Sequence, residues 1–170
     1  MDPAASQASA LIGLGANLGD APATLRAALL ELDRLPGCRL LRASGLWSSA
    51  PVDAGGPDYC NAVAELASSL QPHALLRGLQ DIEQRHGRVR PVGERNAPRT
   101  LDLDLLCFGD QRVCDALLSL PHPRMHLRAF VLAPLAEIRP DWRLADGEAI
   151  DAAVRRLRRA GQQVRRIGEI

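Results

Sequence analysis

Two aspartates stand two positions apart in the segment PRTLDLDLL, residues 98–106. Asp102 and Asp104 alternate with leucines, so in a β-strand both carboxylates project from one face, with Cα atoms about 6.5 Å apart. Carboxylates at this separation can bind a pair of hard cations such as Mg²⁺, and phosphoryl chemistry uses paired ions to neutralise the charge of the transferred group. A half-exposed strand whose outer face is acidic explains the spacing equally well.

The turn-rich loop just upstream of the two aspartates is rich in arginine: Arg88, Arg90, Arg95 and Arg99. Guanidinium groups match phosphate geometry, which favours the two-cation interpretation, although these arginines could instead form ion pairs with the two aspartates. All 21 basic residues of the chain are arginines. Because there is no lysine, a Walker A loop, the strand lysine of protein kinases and a Schiff-base mechanism are excluded.

Two further motifs nearly match known site patterns. GLGANLG, residues 13–19, misses the GxGxxG dinucleotide fingerprint by one residue. We interpret it as a tight turn that brings Asn17 and backbone N–H groups toward a site. His122 and His126 have the spacing of zinc ligands on a helix, but Pro123 lies between them and neither an HExxH glutamate nor a third ligand is evident. A polar or phosphate-facing role is favoured for His122.

Scarce aromatic residues form a third group of candidates. Tyr59 and Asn61 alternate in a strand-like segment, so both can face one ligand. Tyr59 is the only tyrosine of the chain, and Phe130 is one of two phenylalanines. Ordinary core packing explains two aromatic residues, and a pocket for a flat heterocycle explains them as well.

Composition limits the class of protein. With 170 residues and 46% hydrophobic content, the chain is expected to form one domain over residues 1–170, with 1–7 flexible and 160–170 as a tail. A net charge of +1 indicates a small-molecule partner and disfavours nucleic acid and anionic membranes.

The cysteines and the N-terminus indicate the compartment. The four cysteines lack the spacing of a metal site and are expected to be reduced and buried; they are Cys38, Cys60, Cys107 and Cys114. The N-terminal segment has no signal-peptide pattern, and no run approaches the roughly 20 apolar residues of a membrane helix. A soluble, cytoplasmic protein is expected.

Hydrophobic periodicity predicts the elements that must position these residues. Strands are predicted at 8–13, 39–48, 59–70 and 100–108, and helices at 22–35 and 72–86. The resulting order, strand, helix, strand, strand, helix, strand, predicts a ferredoxin-like βαββαβ sandwich of the α+β class, with the helices on one face of an antiparallel sheet. A hairpin around Gly109, helices at 124–138 and 148–159 and an extended tail follow. The RRLRR run within the last helix is interpreted as a solvated helix face rather than a nucleic-acid patch.

Five of these segments together resemble the hydroxymethyldihydropterin pyrophosphokinase family of folate synthesis. They cover roughly residues 9 to 147 and are GLGANL, PDYCN, GRVR, NAPRTLDLDLL and LPHPRMHLRAFVLAPL. PRTLDLD is the most specific of them. The resemblance implies a ferredoxin-like fold and transfer of a pyrophosphoryl group from ATP to the hydroxymethyl oxygen of the reduced pterin, with release of AMP. No second folate-pathway enzyme fits in this length, so we expect a stand-alone chain.

The resemblance also implies a role for each matching residue. Asp102 and Asp104 would hold two Mg²⁺ ions between the phosphates and the attacking hydroxyl, and Arg88 and Arg99 would assist catalysis. The implied nucleotide and phosphate contacts are Glu83, Arg88, Arg99, His122 and Arg128. The implied pterin pocket is Ser49, Ala50, Pro51, Val52, Tyr59, Asn61 and Phe130. Tyr59 and Phe130 would sandwich the ring, and Asn61 would read its polar edge. ATP and the pterin are the expected partners of a monomer.

The chain departs from the family pattern at a few positions. Asn96 stands where some members have a tryptophan, Leu127 replaces a commoner acidic residue, and the loop 53–57 is one residue shorter than in some relatives. These changes are expected to affect loop closure rather than the reaction.

Two other functions remain open from the sequence. A palm-type nucleotidyl cyclase or transferase also places two metal-binding carboxylates on such a sheet. An RRM-like RNA-binding module shares the order of elements, but an aromatic content of 3% and aspartates on the strand disfavour it.

Overall fold

The structure, a computed structural model, describes residues 7–51, 55–87 and 99–170. The strands in these residues are β1 (Ala8–Ala16), β2 (Cys38–Ala43), β3 (Leu46–Ser49), β4 (Tyr59–Ser68), β5 (Asp102–Phe108), β6 (Val113–Cys114), β7 (Ser119–Leu120) and β8 (Val164–Gly168). The helices are α1 (Ala21–Asp33), α2 (Pro72–Arg85), α3 (Ala129–Ile138) and α4 (Ile150–Arg159). The predicted order of elements up to β5 is confirmed, except that β2 and β3 stand in place of one predicted strand.

Six strands form one antiparallel sheet in the order β5-β1-β4-β3-β8, with β2 also paired to β4. The fourth strand of the βαββαβ unit, β5, therefore lies beside the first, which confirms the ferredoxin-like α+β fold. β6 and β7 form a separate small hairpin. Because β5 is at the edge of the sheet, one side of its backbone is available to groups other than a neighbouring strand.

Helices cover both faces of the sheet. The α1 and α2 side is filled by leucines of both helices, among them Leu25, Leu32, Leu75 and Leu79. On the opposite face, α3 and α4 pack Leu132, Leu135 and Leu157 against the sheet. The chain therefore adds a third layer to the predicted two, and the end of that layer near the start of α3 borders the functional site.

The predicted strand 39–48 is divided in two. Ser44 interrupts it by donating its N–H to Val63 O (2.9 Å) and accepting from Val63 N on its hydroxyl (3.0 Å). Next to it, a Cβ on Gly45 would lie 2.6 Å from Gly168 O, so only glycine allows β8 to approach this closely. The 160–170 segment, predicted as an extended tail, contributes β8 to the sheet.

The predicted helix 124–138 begins only at Ala129. Residues Met125–Leu127 form a single 3₁₀ turn, and Arg128 between the two has extended backbone angles, φ −123° and ψ 104°. The apolar periodicity of the segment extends over both pieces, which is why the sequence pattern alone joins them. Because the helix is interrupted here, Arg128 lies outside the hydrogen-bond pattern of both helical pieces.

The cysteines are all free thiols, but they are not all buried. Cys60 and Cys107 are buried as predicted, and burial raises the pKa of the Cys107 thiol to about 11. Cys38 is partly buried and Cys114, on β6, is exposed, so the prediction of burial was wrong for the hairpin cysteine. Separately, none of the described helices combines the length and apolar character needed to cross a membrane.

Candidate active site

The edge strand β5 presents the two aspartates as predicted. Asp102 and Asp104 are partly exposed, with 21% and 36% of their side chains accessible, while Leu103 and Leu105 between and after them are buried. The strict alternation therefore confirms that both carboxylates share one face of the strand. The leucines anchor the strand in the core and hold the carboxylates beside each other.

A buried carboxylate on α2 supports β5 at this point. Glu83, only 2% exposed, accepts a hydrogen bond from the backbone N–H of Leu103 at 2.7 Å. Leu103 lies between the two aspartates, so Glu83 holds the segment of strand that carries them. On the same strand, Leu106 O accepts from the N–H of His122 at 2.8 Å. α2 and the segment after β7 thus both fix β5 in place.

Glycines of β1 form the floor next to the aspartates. In the antiparallel register, Gly15 faces Asp102 on β5 and Asn61 on β4, and Gly13 faces Asp104. A Cβ on Gly15 would lie 3.4 Å from Asn61 Oδ1 and 3.9 Å from Tyr59 Cδ1. Without side chains at these positions, the sheet face remains open between the carboxylates and Asn61.

This open floor belongs to a cavity of about 380 Å³, here called the face cavity, which lies between the sheet and the start of α3. Five residues predicted for a heterocycle pocket line it: Ser49, Ala50, Tyr59, Asn61 and Phe130. Asn61, 4% exposed, donates from Nδ2 to Ser49 Oγ at 2.8 Å. Because the amide nitrogen is used, Asn61 Oδ1 is the atom that faces Gly15 and can accept a hydrogen bond from a ligand.

A second cavity of about 340 Å³, here called the edge cavity, runs along the outer side of β5 between α2 and the segment 117–123. The predicted nucleotide contacts Glu83 and His122 line it, together with apolar residues that include Leu76, Leu117 and Leu118. Arg99, Asp102 and Asp104 line both cavities. The two carboxylates therefore lie where the face cavity meets the edge cavity.

Two arginines are close to the carboxylates. Arg99 Nη1 lies 2.8 Å from Asp102 Oδ2, so the ion pair that the sequence left open is present for this arginine. Arg128 Nη1 lies 3.7 Å from Asp104 Oδ2, and its guanidinium lies 5.5 Å from the centroid of the Phe130 ring. Burial is the main cause that lowers the pKa of Arg128, while Asp104 acts in the opposite direction. The cluster alternates in charge, which lets it exchange carboxylate contacts for phosphate contacts.

Asn17 holds the backbone of Arg99. Its Oδ1 accepts from Arg99 N at 2.9 Å, its N–H donates to Arg99 O at 3.1 Å, and its Nδ2 donates to Pro57 O at 3.3 Å. Asn17 is 4% exposed. Asn17 therefore holds a residue that lines both cavities but lines neither itself. The turn begins after Ala16, and Gly13 and Gly15 belong to β1.

His122 is a neutral imidazole at physiological pH. Burial, followed by the positive charges of Arg128 and Arg124, lowers its pKa to about 4. Its Nδ1 accepts from the backbone N–H of Arg124 at 3.2 Å, which places the ring proton on Nε2. His126 lies on the exposed side of the 3₁₀ turn. Over residues 7–51, 55–87 and 99–170, no cluster of three or more His, Cys, Asp or Glu side chains suits a metal ion.

Some residues predicted for the site do not line either cavity or fall outside the residues that the structure describes. Pro51 does not line either cavity. Val52 and Arg88 fall outside the described residues, as do Arg90, Arg95 and Asn96. Sequence reasoning did not find several residues that line the face cavity: Leu14, Ala62, Arg124, Val131 and Gln162. Arg124 follows His122 closely in the chain and could have been found by its charge, whereas Gln162 lies far along the chain and carries no local signal.

Comparison with known proteins decides the family. The model of 7,8-dihydro-6-hydroxymethylpterin-pyrophosphokinase matches residues 11–140. The chain belongs to this family. It is 45% identical over 133 residues to the 2-amino-4-hydroxy-6-hydroxymethyldihydropteridine pyrophosphokinase of Synechocystis sp., covering 78% of this chain and 67% of that protein. The enzyme of the same name from Pseudomonas aeruginosa is 47% identical over 137 residues, covering 80% and 83%. That of Haemophilus influenzae is 40% identical over 150 residues, covering 88% and 92%.

Solved structures agree with the fold. A crystal structure of Plasmodium falciparum HPPK-DHPS A437G with pteroate superposes with a TM-score of 0.69 at 12% identity, covering 91% of this chain and 44% of that chain. A crystal structure of HPPK-DHPS in complex with substrates gives a TM-score of 0.72 at 12% identity, with the same coverage. This chain therefore spans less than half the length of those proteins. At this identity the likeness concerns the fold alone.

Proposed function

We propose that the protein transfers the pyrophosphoryl group of ATP to the hydroxymethyl oxygen of 6-hydroxymethyl-7,8-dihydropterin, releasing AMP, as a step of folate biosynthesis. The observation that carries the proposal is that two cavities of different character meet at Asp102 and Asp104. A transfer reaction between two substrates needs this arrangement, since the donor and the acceptor must meet at one point while the rest of each is held apart. Membership of the pyrophosphokinase family supports the same reaction.

The face cavity suits the pterin. Its volume of about 380 Å³ lies in the range of small-molecule sites. Tyr59 and Phe130 provide aromatic walls, and Asn61 offers a buried amide oxygen to the N–H groups of a pterin edge. The glycine floor beside Asp102 and Asp104 lets the substituent of the ring reach the carboxylates. Ser49 contributes by holding the Asn61 amide in this orientation.

The edge cavity suits the nucleotide. Leu76, Leu117 and Leu118 supply apolar contacts for a base, and the neutral His122 ring can donate from Nε2 to a phosphate or ribose oxygen. Glu83 lines the same cavity while it holds Leu103. A nucleotide whose base binds here would place its phosphates toward the junction with the face cavity.

Asp102 and Asp104 fit a magnesium site of the kind used with ATP. Carboxylate oxygens are the ligands that Mg²⁺ prefers, and protein carboxylates commonly share the ion with water and substrate phosphates. We propose that the pair holds two Mg²⁺ ions, which supply charge neutralisation between the transferred oxygens when bound. The donor set itself supports this assignment, since both carboxylates lie on one face at the junction of the cavities.

The arginines supply the remaining positive charge. Arg99, Arg124 and Arg128 all line the face cavity, and Arg99 also lines the edge cavity. Phosphoryl transfer requires little covalent chemistry from the protein, so positioning and neutralisation of the spreading negative charge carry most of the catalysis. Asn17 keeps Arg99 in place through its two hydrogen bonds to the Arg99 backbone. The roles of Arg88, Pro51 and Val52, the monomeric state and the cytoplasmic location stay predictions.

Structural features disfavour the RNA-binding alternative. An RRM-type module binds RNA on an open sheet face with aromatic residues. In this chain α3 and α4 cover the face opposite α1 and α2. A palm-type cyclase needs no second substrate cavity, whereas here the aspartates border two. A palm-type nucleotidyl transferase, which also binds an acceptor, is distinguished by the products it releases.

Product identity tests the proposal. Protein, ATP, Mg²⁺ and 6-hydroxymethyl-7,8-dihydropterin are mixed, and nucleotides are separated by chromatography. The proposal expects AMP and the pterin diphosphate in equal amounts, and no nucleotide turnover when the pterin is omitted. ADP as the product would contradict the pyrophosphoryl transfer. Release of pyrophosphate from ATP alone would support the cyclase or nucleotidyl transferase instead.

A further inference from the structure

A glutamine far from the site in sequence holds the backbone on both sides of Arg128. Gln162, which follows α4, accepts on Oε1 from the N–H of Ala129 at 2.8 Å. Its Nε2 donates to the carbonyl of Leu127 at 2.8 Å. Leu127 and Ala129 are the two neighbours of Arg128, so a single carboxamide pairs with the peptide groups that flank this arginine.

The backbone at this point needs such a partner. Arg128 is extended between the 3₁₀ turn and α3, and no side chain of its own segment caps the helix. The first N–H groups of a helix have no acceptor within the helix, and a buried N–H without a partner costs free energy. Ala129 is fully buried. Gln162 therefore supplies the helix cap from 33 residues further along the chain.

The two hydrogen bonds of the Gln162 carboxamide, here called the clamp, act on the site through Arg128. The guanidinium of Arg128 lies 5.5 Å from the centroid of the Phe130 ring, and its Nη1 lies 3.7 Å from Asp104 Oδ2. Both contacts depend on the position of the Arg128 backbone. Gln162 itself lines the face cavity. We propose that Gln162 is a positioning residue that sets Arg128 and Phe130 for the pterin and for the transferred diphosphate. The proposal rests on the proposed function for its ligand, but the clamp itself is independent of it.

The rest of the segment is anchored without the carboxamide. The backbone N–H of Gln162 donates to Leu157 O at 3.1 Å, and Gly161 N donates to Arg158 O at 3.0 Å, which end α4. β8 follows and pairs with β3. Removing the side-chain amide should therefore leave α4 and β8 in place and release only the segment around Arg128.

Only a group with one donor and one acceptor at this reach can replace the carboxamide. In Gln162→Glu the ionised carboxylate still accepts from Ala129 but repels the Leu127 carbonyl, whereas the protonated acid can both donate and accept. We expect Gln162→Glu to lose about tenfold in kcat/KM for the pterin at pH 8, the size of one lost hydrogen bond to a charged or buried partner. The loss should become smaller at pH 5, where a glutamate that needs its proton to complete both hydrogen bonds is partly protonated, when each variant is compared with wild type at the same pH.

Gln163→Glu is the matched control. Gln163 is exposed and adjacent, so this variant introduces the same charge without touching the clamp. It should match wild type at both pH values. Gln162→Ala should lose pterin affinity at every pH and show no recovery in acid. The affinity for ATP should fall less than the affinity for the pterin in the two Gln162 variants, because Arg128 meets only the transferred diphosphate and the rest of the nucleotide occupies the other cavity. In Gln163→Glu the affinity for ATP should stay within about twofold of wild type.

Two outcomes would overturn the proposal. One is a Gln162→Glu variant with wild-type kcat/KM at pH 8. The other is a loss that persists unchanged at pH 5 and extends equally to ATP, because that pattern indicates general structural damage.

Hydrogen exchange at the Ala129 amide, followed by NMR without substrate, tests the clamp separately. Faster exchange in Gln162→Ala together with no AMP production by wild type would refute the proposed function while the clamp stands. Unchanged exchange would refute the clamp.

Discussion

Gly15 and Asp102 face each other across the β1–β5 pair, so the position beside the carboxylate carries no side chain. On its other side, Gly15 pairs with Asn61 of β4. Asp102, Gly15 and Asn61 therefore form a row across the sheet. Asp102 is the metal-binding candidate, and we assign the Asn61 amide to the pterin edge. Because Gly15 has no side chain, a gap lies between the two. The glycine makes the face cavity continuous with the junction at the aspartates.

Filling this gap should block the pterin and spare the nucleotide. A valine at Gly15 would project toward Asn61 and Tyr59, which a Cβ already approaches at 3.4 and 3.9 Å. Overpacking of this kind costs about 1–3 kcal/mol, so the dissociation constant of the pterin in Gly15→Val should rise about 10- to 100-fold. Binding of ATP should stay near wild type, as measured by titration calorimetry with each ligand.

Gly168→Val is the control for this substitution. Among the described residues, a Cβ on Gly168 meets no atom within 4 Å, so the same change of side chain on β8 has room. Pterin binding should be unaffected there. Equal weakening of both ligands in Gly15→Val would contradict the assignment of the two cavities.

The aspartates should each be essential for turnover but not for folding. Asp102→Asn and Asp104→Asn keep the shape of the side chain and remove the charge that the proposed Mg²⁺ ions need. A loss of several kcal/mol of charge stabilisation corresponds to a fall in AMP formation of at least about 100-fold. Asp110→Asn, on the exposed turn after β5, is the control and should keep its rate. Near-normal turnover in either of the first two variants would leave the pair as an acidic strand face.

The features of the site that the sequence predicted are local ones. The alternation of Asp102 with Leu103 depends only on the two-residue period of a strand, and the helical faces of α1 and α2 depend on the 3.6-residue period. Both were confirmed. The same reasoning grouped Tyr59 with Asn61 on one face, and the structure places both in the face cavity.

The features that the sequence missed depend on contacts between distant segments. The strand predicted over 39–48 breaks where β8 reaches Gly45, a contact more than 120 positions apart in the chain. The start of α3 is set by Gln162 rather than by a residue next to it. Local propensity carries no information on such partners, because tertiary contacts override it.

Removing the Glu83 carboxylate should destabilise the fold. Glu83→Ala leaves the buried N–H of Leu103 without its acceptor, and a buried group left unsatisfied costs about 1–3 kcal/mol. Glu83→Gln retains an amide oxygen and should lose less. Gln84→Ala, on the exposed side of α2, should change the free energy of unfolding little. Urea unfolding monitored by circular dichroism measures all three, and an Ala variant as stable as wild type would contradict the support of β5 by this residue.

The half-buried His122 should make stability depend on pH. Its pKa of about 4 lies below the ordinary value of 6.5, so the unfolded chain binds a proton more readily than the folded one between these values. The stabilising contribution is therefore complete above about pH 6.5 and is lost as the pH falls toward 4. Because His122 is partly exposed, solvent screening reduces the effect, and we expect about 1 kcal/mol between pH 7 and pH 5.

Replacement by asparagine separates this effect from other titrations. In His122→Asn the new side chain would still offer an oxygen to the N–H of Arg124, which His122 Nδ1 accepts at 3.2 Å, but it does not titrate. Urea unfolding at pH 7 and pH 5 should show that wild type loses about 1 kcal/mol more than His122→Asn on acidification. His126→Asn, at the exposed histidine of the 3₁₀ turn, should behave as wild type. The same acid loss in wild type and His122→Asn would show that His122 is not the buried histidine that resists protonation.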